Sequence, residues 1–277
     1  VAAQLASLAG FDLPDASTSG PLTLIEQGCG SQLAVHGSGA DATVSGTAHH
    51  VPWARHAVAA LVSLQDGRLA LLDLKAAGVT VQPQVNHAGL PSDTLVLDHA
   101  RLQAVAPNPL PLARPVWTLG AAARSAMLVG ALESALEQAV RYAGERVQFG
   151  KPLGKYQAIQ QQLALMAGDV SAARVAAQVA MADCPGGAQT GCAATHFSTA
   201  VAKVRAGEAA TRGASIAHQV HGAIGFTHEH ALHFATRRLW AWRAEFGSDA
   251  DWALELGRAA IAARSAGFWP GVTAKAF

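Results

Sequence analysis

Cysteine is scarce in this chain. Cys29, Cys184 and Cys192 are the only three among 277 residues, and no CxxC pair is present. That excludes a disulfide framework and a CxxC metal or redox centre, and it predicts free thiols. Charge is sparse too: Lys, Arg, Asp and Glu make up 14% of the residues and nearly cancel, to +1. No basic stripe offers a nucleic-acid surface, and no polybasic run suits an anionic membrane. Uninterrupted apolar runs are missing although 51% of the residues are hydrophobic. His, Arg, Gln or Gly breaks each one short of the ~20 apolar residues of a membrane span, so no span is expected. The opening "VAAQLASLAGFDLPD" has no basic leader, so a secretory signal is not expected and a cytoplasmic location is. Val1 in place of Met, and an opening that reads as the end of an amphipathic helix, predict further sequence upstream.

What is present is enough apolar residue for two domain-sized cores. Up to about residue 115, short apolar runs alternate with turn residues: "LTLIEQ", "QLAVHGSGADATVSGTA", "AVAALVSLQDGRLALLDL", "GVTVQPQV" and "DTLVLDHARLQ". Asp66-Gly67 between two such runs is a hairpin signal, and Ser38-Gly39 and Ser45-Gly46 predict further turns. The fold class expected is α+β. An antiparallel β domain over residues 11–115 follows the end of a helical domain at 1–10, and a C-terminal four-helix-type bundle takes 116–277. The prolines at 107, 109, 111 and 115 predict a linker. Beyond Trp117, Leu119, Ala122, Ala126, Val129, Leu132, Leu136 and Val140 recur at helical spacing up to Gly150. Similar patterns predict helices near 156–183, 193–220, 229–245 and 249–265. Twelve histidines invite a metal reading. His49-His50 and His228-Glu229-His230, however, lack the i, i+3 or i, i+4 spacing that makes ligands converge on a helix face, so no metal is expected.

Two motifs interrupt the bundle. The first is "ERVQFGKPLGKYQAIQ", which puts a turn between two long helices; the second is "QVHGAIGFTHEHALHFATRRLWAWRAEFG", from Gln219 to Gly247. In this order the two resemble the signatures of the acyl-CoA dehydrogenase family, and the β domain ahead of them fits that family's layout. The resemblance implies FAD as cofactor, contacted by Arg146, Gln148, Phe149, Gln219, Gly222 and Ala223 and bound mainly by a neighbouring subunit. It therefore also implies an oligomer, a homodimer or tetramer, or a complex with an unlike partner subunit. An acyl-CoA substrate and an electron-transfer acceptor follow from the same source. The residue types suit the task. A planar, permanently charged guanidinium matches a pyrophosphate, an aromatic ring can lie on an adenine, and glycine lets backbone N–H groups approach.

Catalysis in this family removes an α-proton with a carboxylate while hydride leaves the β-carbon. Glu245 is the candidate base, although an ungapped alignment from Gln219 puts Phe246 at the family's usual position. The alternative position, near the start of the first bundle helix, is Gly120. In the β domain, "TLIEQGCGS" and "AHHVPWARHA" stand where the family's flavin-contacting loops belong, with Pro52 in place of a hydroxyl residue and Trp53 as an aromatic wall or a core residue. Three functions remain open at this point: an FAD-dependent acyl-CoA dehydrogenase using Glu245, a catalytically silent flavin-contacting subunit of a heteromeric acyl-CoA dehydrogenase, and a helical interaction protein without cofactor. Members acting on steroid side chains are built from unlike subunits in the second way.

Overall fold

The computed structural model describes residues 1–13, 20–28, 30–37, 41–185 and 192–275. Cys29, the predicted Ser38-Gly39 turn and most of the "PGGAQTG" loop lie outside the described residues, as does the side chain of Cys192. Cys184 is a half-buried free thiol, and burial pushes its pKa up. Two compact units divide at Gly120/Ala121.

In the first unit, helix α1 (Ala2–Leu8) precedes a seven-stranded sheet. Its strands are β1 (Leu22–Glu26), β2 (Gln32–His36), β3 (Thr43–Pro52), β4 (Ala59–Ser63), β5 (Arg68–Asp73), β6 (Val79–Gln82) and β7 (Ser92–Pro107). They lie in the order β1-β4-β5-β7-β3-β2, with β6 also paired to β7. Pairing is antiparallel except for β1 with β4, which run parallel, so the sheet is mixed. The continuous apolar runs of β4 and β5 are buried on both faces, as interior strands require. Asp66-Gly67 does turn the chain between β4 and β5: Gly67 takes φ 79°, and Asp66 Oδ1 accepts from the Arg68 N–H. Ser45-Gly46, expected as a turn, lies inside β3 at a β-bulge. Gly46 has φ 131°, and a Cβ there would stand 2.0 Å from the Gln32 carbonyl oxygen of the neighbouring strand, so the glycine serves a close backbone approach. Pro107, expected in the linker, is the last residue of β7, where a strand end tolerates the missing N–H.

Helix α2 (Pro115–Glu145) opens on proline, whose missing N–H costs nothing in a first turn. Its N-terminus is capped from β1: the Trp117 N–H donates to Glu26 Oε2 at 2.7 Å. Within the second unit follow α3 (Gln157–Ala182), α4 (Cys192–His221), α5 (Leu232–Ala244) and α6 (Asp249–Ala274). The buried stripe of α2 runs through Ala122, Ser125, Val129, Leu132, Ala135, Ala139 and Ala143. It therefore departs from the stripe expected from spacing at Val140, which is exposed. Alanine on this face lets neighbouring helices approach closely. Ser248 and Asp251 form a capping box that starts α6. By length and composition alone α2 and α3 could cross a membrane, but 56% of the most apolar window of α2 is buried in this bundle.

Candidate functional site

The end of α2 and the end of α4 meet through aromatic contacts. The ring of Tyr142 stacks on His221 at 4.6 Å, and His230 closes edge-on against both. Arg146, Gln148 and Phe149 follow Tyr142 directly, and Gly222 and Ala223 follow His221, so the predicted cofactor residues gather at one end of the bundle. All of them, and Gln219, are exposed.

The hairpin after α2 explains how Phe149 is presented. Strands β8 (Val147–Gln148) and β9 (Lys151–Pro152) pair antiparallel around the loop Phe149-Gly150. Both loop residues have positive φ, 53° and 83°, the pattern of a type I′ turn. Glycine takes that conformation freely, whereas phenylalanine is strained in it by roughly 1–2 kcal/mol. The hairpin keeps this turn despite the strain, and the turn leaves the Phe149 ring out in solvent, 94% exposed. Local bonds brace the loop: the Tyr156 hydroxyl donates to the Gln148 carbonyl, the Leu153 N–H donates to the Arg146 carbonyl, and Lys151 lies 4.3 Å from the Tyr156 ring. The exposed Arg146 makes no ion pair among the described residues. Its guanidinium is available to an anion, and with the exposed Phe149 ring it fits an adenine-bearing pyrophosphate such as FAD. Gly222 ends α4 in the left-handed region, φ 62°, with open space where a Cβ would stand. Gly225 is a packing residue, because a Cβ there would meet His221 at 2.8 Å.

Glu245 lies elsewhere. It ends α5, a 13-residue helix, which places it about 20 Å along the bundle from the His230 end at ~1.5 Å per residue. Arg124 of α2 donates from Nε to Glu245 Oε2 at 2.6 Å, with both side chains largely buried. The guanidinium of Arg124 also sits 5.6 Å from the Trp242 ring and 6.0 Å from the Phe246 ring. Phe246 takes φ 55° and Gly247 φ 89°, so the chain turns sharply just beyond Glu245. Below this turn lies Lys203 of α4, fully buried, which donates to the carbonyls of Arg243 at 2.7 Å and Trp242 at 3.3 Å. It satisfies carbonyls of the last turn of α5, which have no partner within the helix. Burial lowers its pKa to about 7, against the pull of Glu245 and Asp249. Neither Arg124 nor Lys203 was expected as a site residue. The signal for Lys203 was available: in "TAVAKVRAGEAA" it stands one position from Ala202 on the inward face of α4.

In the β unit, Trp53 is half-exposed rather than core, at φ 57° on a corner held by Arg55 and the buried Asp93. Glu26 is buried beside Ser63, and burial raises its carboxyl to about 7 against the Trp117 N–H that stabilises its charge.

Comparison with known proteins gives these residues a context. The model of "Acyl-CoA dehydrogenase, C-terminal domain" matches residues 117–251. The chain is 34% identical over 140 residues to the acyl-CoA dehydrogenase IpdE2 of Mycobacterium tuberculosis, covering 50% of this chain and 41% of that protein's length. Among solved structures it resembles the ChsE4-ChsE5 complex of Mycobacterium tuberculosis, with TM-score 0.75 and 27% identity over 87% of this chain and 66% of that one. It also resembles the steroid ACAD Tcur3481-Tcur3483, with TM-score 0.76 and 29% identity over 89% of this chain and 69% of that one.

Proposed function

The chain belongs to the acyl-CoA dehydrogenase family through its C-terminal domain at residues 117–251, and on that premise we propose that it is a flavin-contacting subunit without its own base, working in a heteromeric acyl-CoA dehydrogenase that desaturates an acyl-CoA thioester. The observation that carries this reading is the ion pair of Glu245 with Arg124. A base for the α-proton needs a lone pair aimed at the substrate. Here Oε2 of Glu245 is taken by a guanidinium. Phe246, one residue on, has no acid–base chemistry, and Gly120 has no side chain. The abstracting carboxylate is then the partner subunit's.

FAD, when bound, accepts the hydride from the acyl β-carbon. This chain's part is to bind and orient it: Arg146 would pair with the pyrophosphate, Phe149 would cover the adenine, Gln219 would bond to its polar edge, and Gly222 with Ala223 would leave backbone N–H groups open to it. Both solved relatives carry paired names, and one is described as a steroid ACAD, which supports an unlike partner and a steroid acyl-CoA as the substrate class. An electron-transfer acceptor would then take up the electrons.

Flavin absorbance and its bleaching by acyl-CoA, measured for the chain alone and co-expressed with a candidate unlike acyl-CoA dehydrogenase subunit, test the reading. Bleaching is expected only for the complex, and Glu245→Gln should leave it within a few-fold of the parent. Bleaching by the chain alone that Glu245→Gln abolishes would instead make Glu245 the base of a homomeric enzyme.

A further inference from the structure

Helices α2 and α5 run antiparallel, clasped at one end by the Arg124–Glu245 pair and at the other by the contact of Tyr142 with His230, just ahead of α5. Between the clasps lies a groove of about 400 Å³, within the ~300–1,000 Å³ of small-molecule sites. Helix α2 gives it one stripe at helical spacing, Met127, Gly130, Ala131, Ser134 and Gln138. Small residues supply its middle, Gly130 and Ala131 from one side and Ala231 and Ala235 from the other. Met127 and Phe234 add apolar surface, 38% and 57% exposed.

Gly130 is an independent observation. It sits mid-helix, where glycine is worse than alanine, and a Cβ there would meet nothing within 4 Å. Packing inside the chain does not call for glycine at this position. A body lying in the groove would.

The two ends of the groove differ in chemistry. Trp242, buried, stands at the Arg124 end. At the opposite end Gln138 donates from Nε2 to Ser134 Oγ at 3.2 Å, while its Oε1 is buried without a hydrogen-bond partner among the described residues. A buried acceptor is ordinarily paired, and this one belongs to a side chain that lines the groove. An acceptor repels a carboxylate or a phosphate and takes an O–H or N–H. Arg238, the charged residue of the lining, donates to the Phe234 carbonyl of its own helix. A molecule that is apolar along its length and carries one donor at its end matches this order of surfaces, and a shallow trough between two helices favours a rigid, flat one. We propose that the groove between α2 and α5 binds a flat apolar alcohol, its body over Gly130 and Ala131 and its hydroxyl donating to Gln138 Oε1. This rests on neither the flavin nor the thioester of the reading above.

Calorimetry of the full chain with androstanol, androstanone and androstane, each delivered from a cyclodextrin carrier, tests it, because the three share one rigid skeleton bearing a hydroxyl, a ketone or neither. Androstanol should bind about tenfold tighter than the other two, which leave the Gln138 acceptor unpaired. Gln138→Leu should bring all three within about twofold of one another by removing that acceptor. Gly130→Leu should fill the middle of the groove and weaken all three by about tenfold or more, with helicity unchanged. Equal affinity of the parent for androstanol and androstanone would overturn the role of the hydroxyl. Binding of none of the three, or binding that Gly130→Leu leaves intact, would overturn the site itself and leave the groove to a packed helix.

Discussion

Arg124 and Glu245, 121 positions apart, are joined by a 2.6 Å hydrogen bond between Nε and Oε2 that ties the first helix of the bundle to the end of α5. Both side chains are about one-sixth exposed, 15% and 17%, so the pair is shielded from most solvent screening. Charged hydrogen bonds of this kind are worth about 1.5–3 kcal/mol. Urea unfolding of Arg124→Ala, Glu245→Ala and the double variant should show each single change costing in that range. The double should cost less than the sum by about 1 kcal/mol or more, the signature of direct coupling. Strictly additive losses would mean the two side chains do not interact in solution.

Phe149 separates stability from binding. Asparagine tolerates the left-handed region that a type I′ turn demands, so Phe149→Asn should stabilise the chain by up to about 1 kcal/mol while flavin retention falls. Arg146→Ala should lower flavin affinity ten- to hundredfold, as expected for the loss of a charge-assisted contact worth about 1.5–3 kcal/mol, with stability unchanged. Flavin content after gel filtration and thermal melts of the apoprotein read the two effects apart. A Phe149→Asn protein that melts lower and keeps its flavin would contradict both halves.

Much of this architecture was legible in the sequence. The hairpin at Asp66-Gly67, the α2–α6 succession and the two bundle motifs all rest on local chemistry: turn residues, helical spacing and a proline-glycine break. What escaped depends on distant partners. Gly46 looks like a turn until Gln32 of the neighbouring strand is seen to leave no room for a Cβ. The parallel pairing of β1 with β4 leaves no trace in either run. Val140 matches the spacing of its helix but falls outside the covered face, because packing in the bundle sets where that face begins. Glu245 stands out by its position in a motif, yet Arg124, which decides its chemistry, lies in an unremarked alanine-rich turn.

Lys203 gives stability a slope in the alkaline range. Burial holds its pKa near 7, well below the ordinary 10.5. Between those values the unfolded chain binds the proton and the folded chain does not, so this group makes stability rise with pH, by at most about 1.4 kcal/mol per pH unit. Lys203→Met should remove that slope between pH 7 and 10.5 and leave the Trp242 and Arg243 carbonyls uncapped. Urea midpoints across the window measure it, and an unchanged slope in the variant would mean Lys203 stays charged in the fold.

Acid acts at the other end of α5, through the histidines that hold the segment proposed to contact the flavin. His221 is buried against Tyr142, and its Nδ1 bonds the Ala217 carbonyl at 2.7 Å. Burial lowers its pKa below the ordinary 6.5; His230, His218 and Arg141 lower it further, while the Ala217 bond opposes them. Burial lowers that of His218 as well, where Nε2 meets Thr236 Oγ1 at 3.0 Å. Both folded values lie below the unfolded one, so their contribution to stability is fully present above pH 6.5 and is lost as pH falls through the folded values. Opening of residues 222–231 should therefore begin in acid before the bundle unfolds, and Arg146 and Phe149 should then lose the neighbours across the Tyr142 stack. Hydrogen exchange resolved to segments, run from pH 7 down to pH 5 with rates corrected for intrinsic pH dependence, should show 222–231 losing protection while α3 keeps it. His221→Gln, which cannot take up a proton, should abolish most of that acid response. Loss of protection in both segments together, in parent and variant alike, would place the acid sensitivity in the whole bundle instead of this histidine contact.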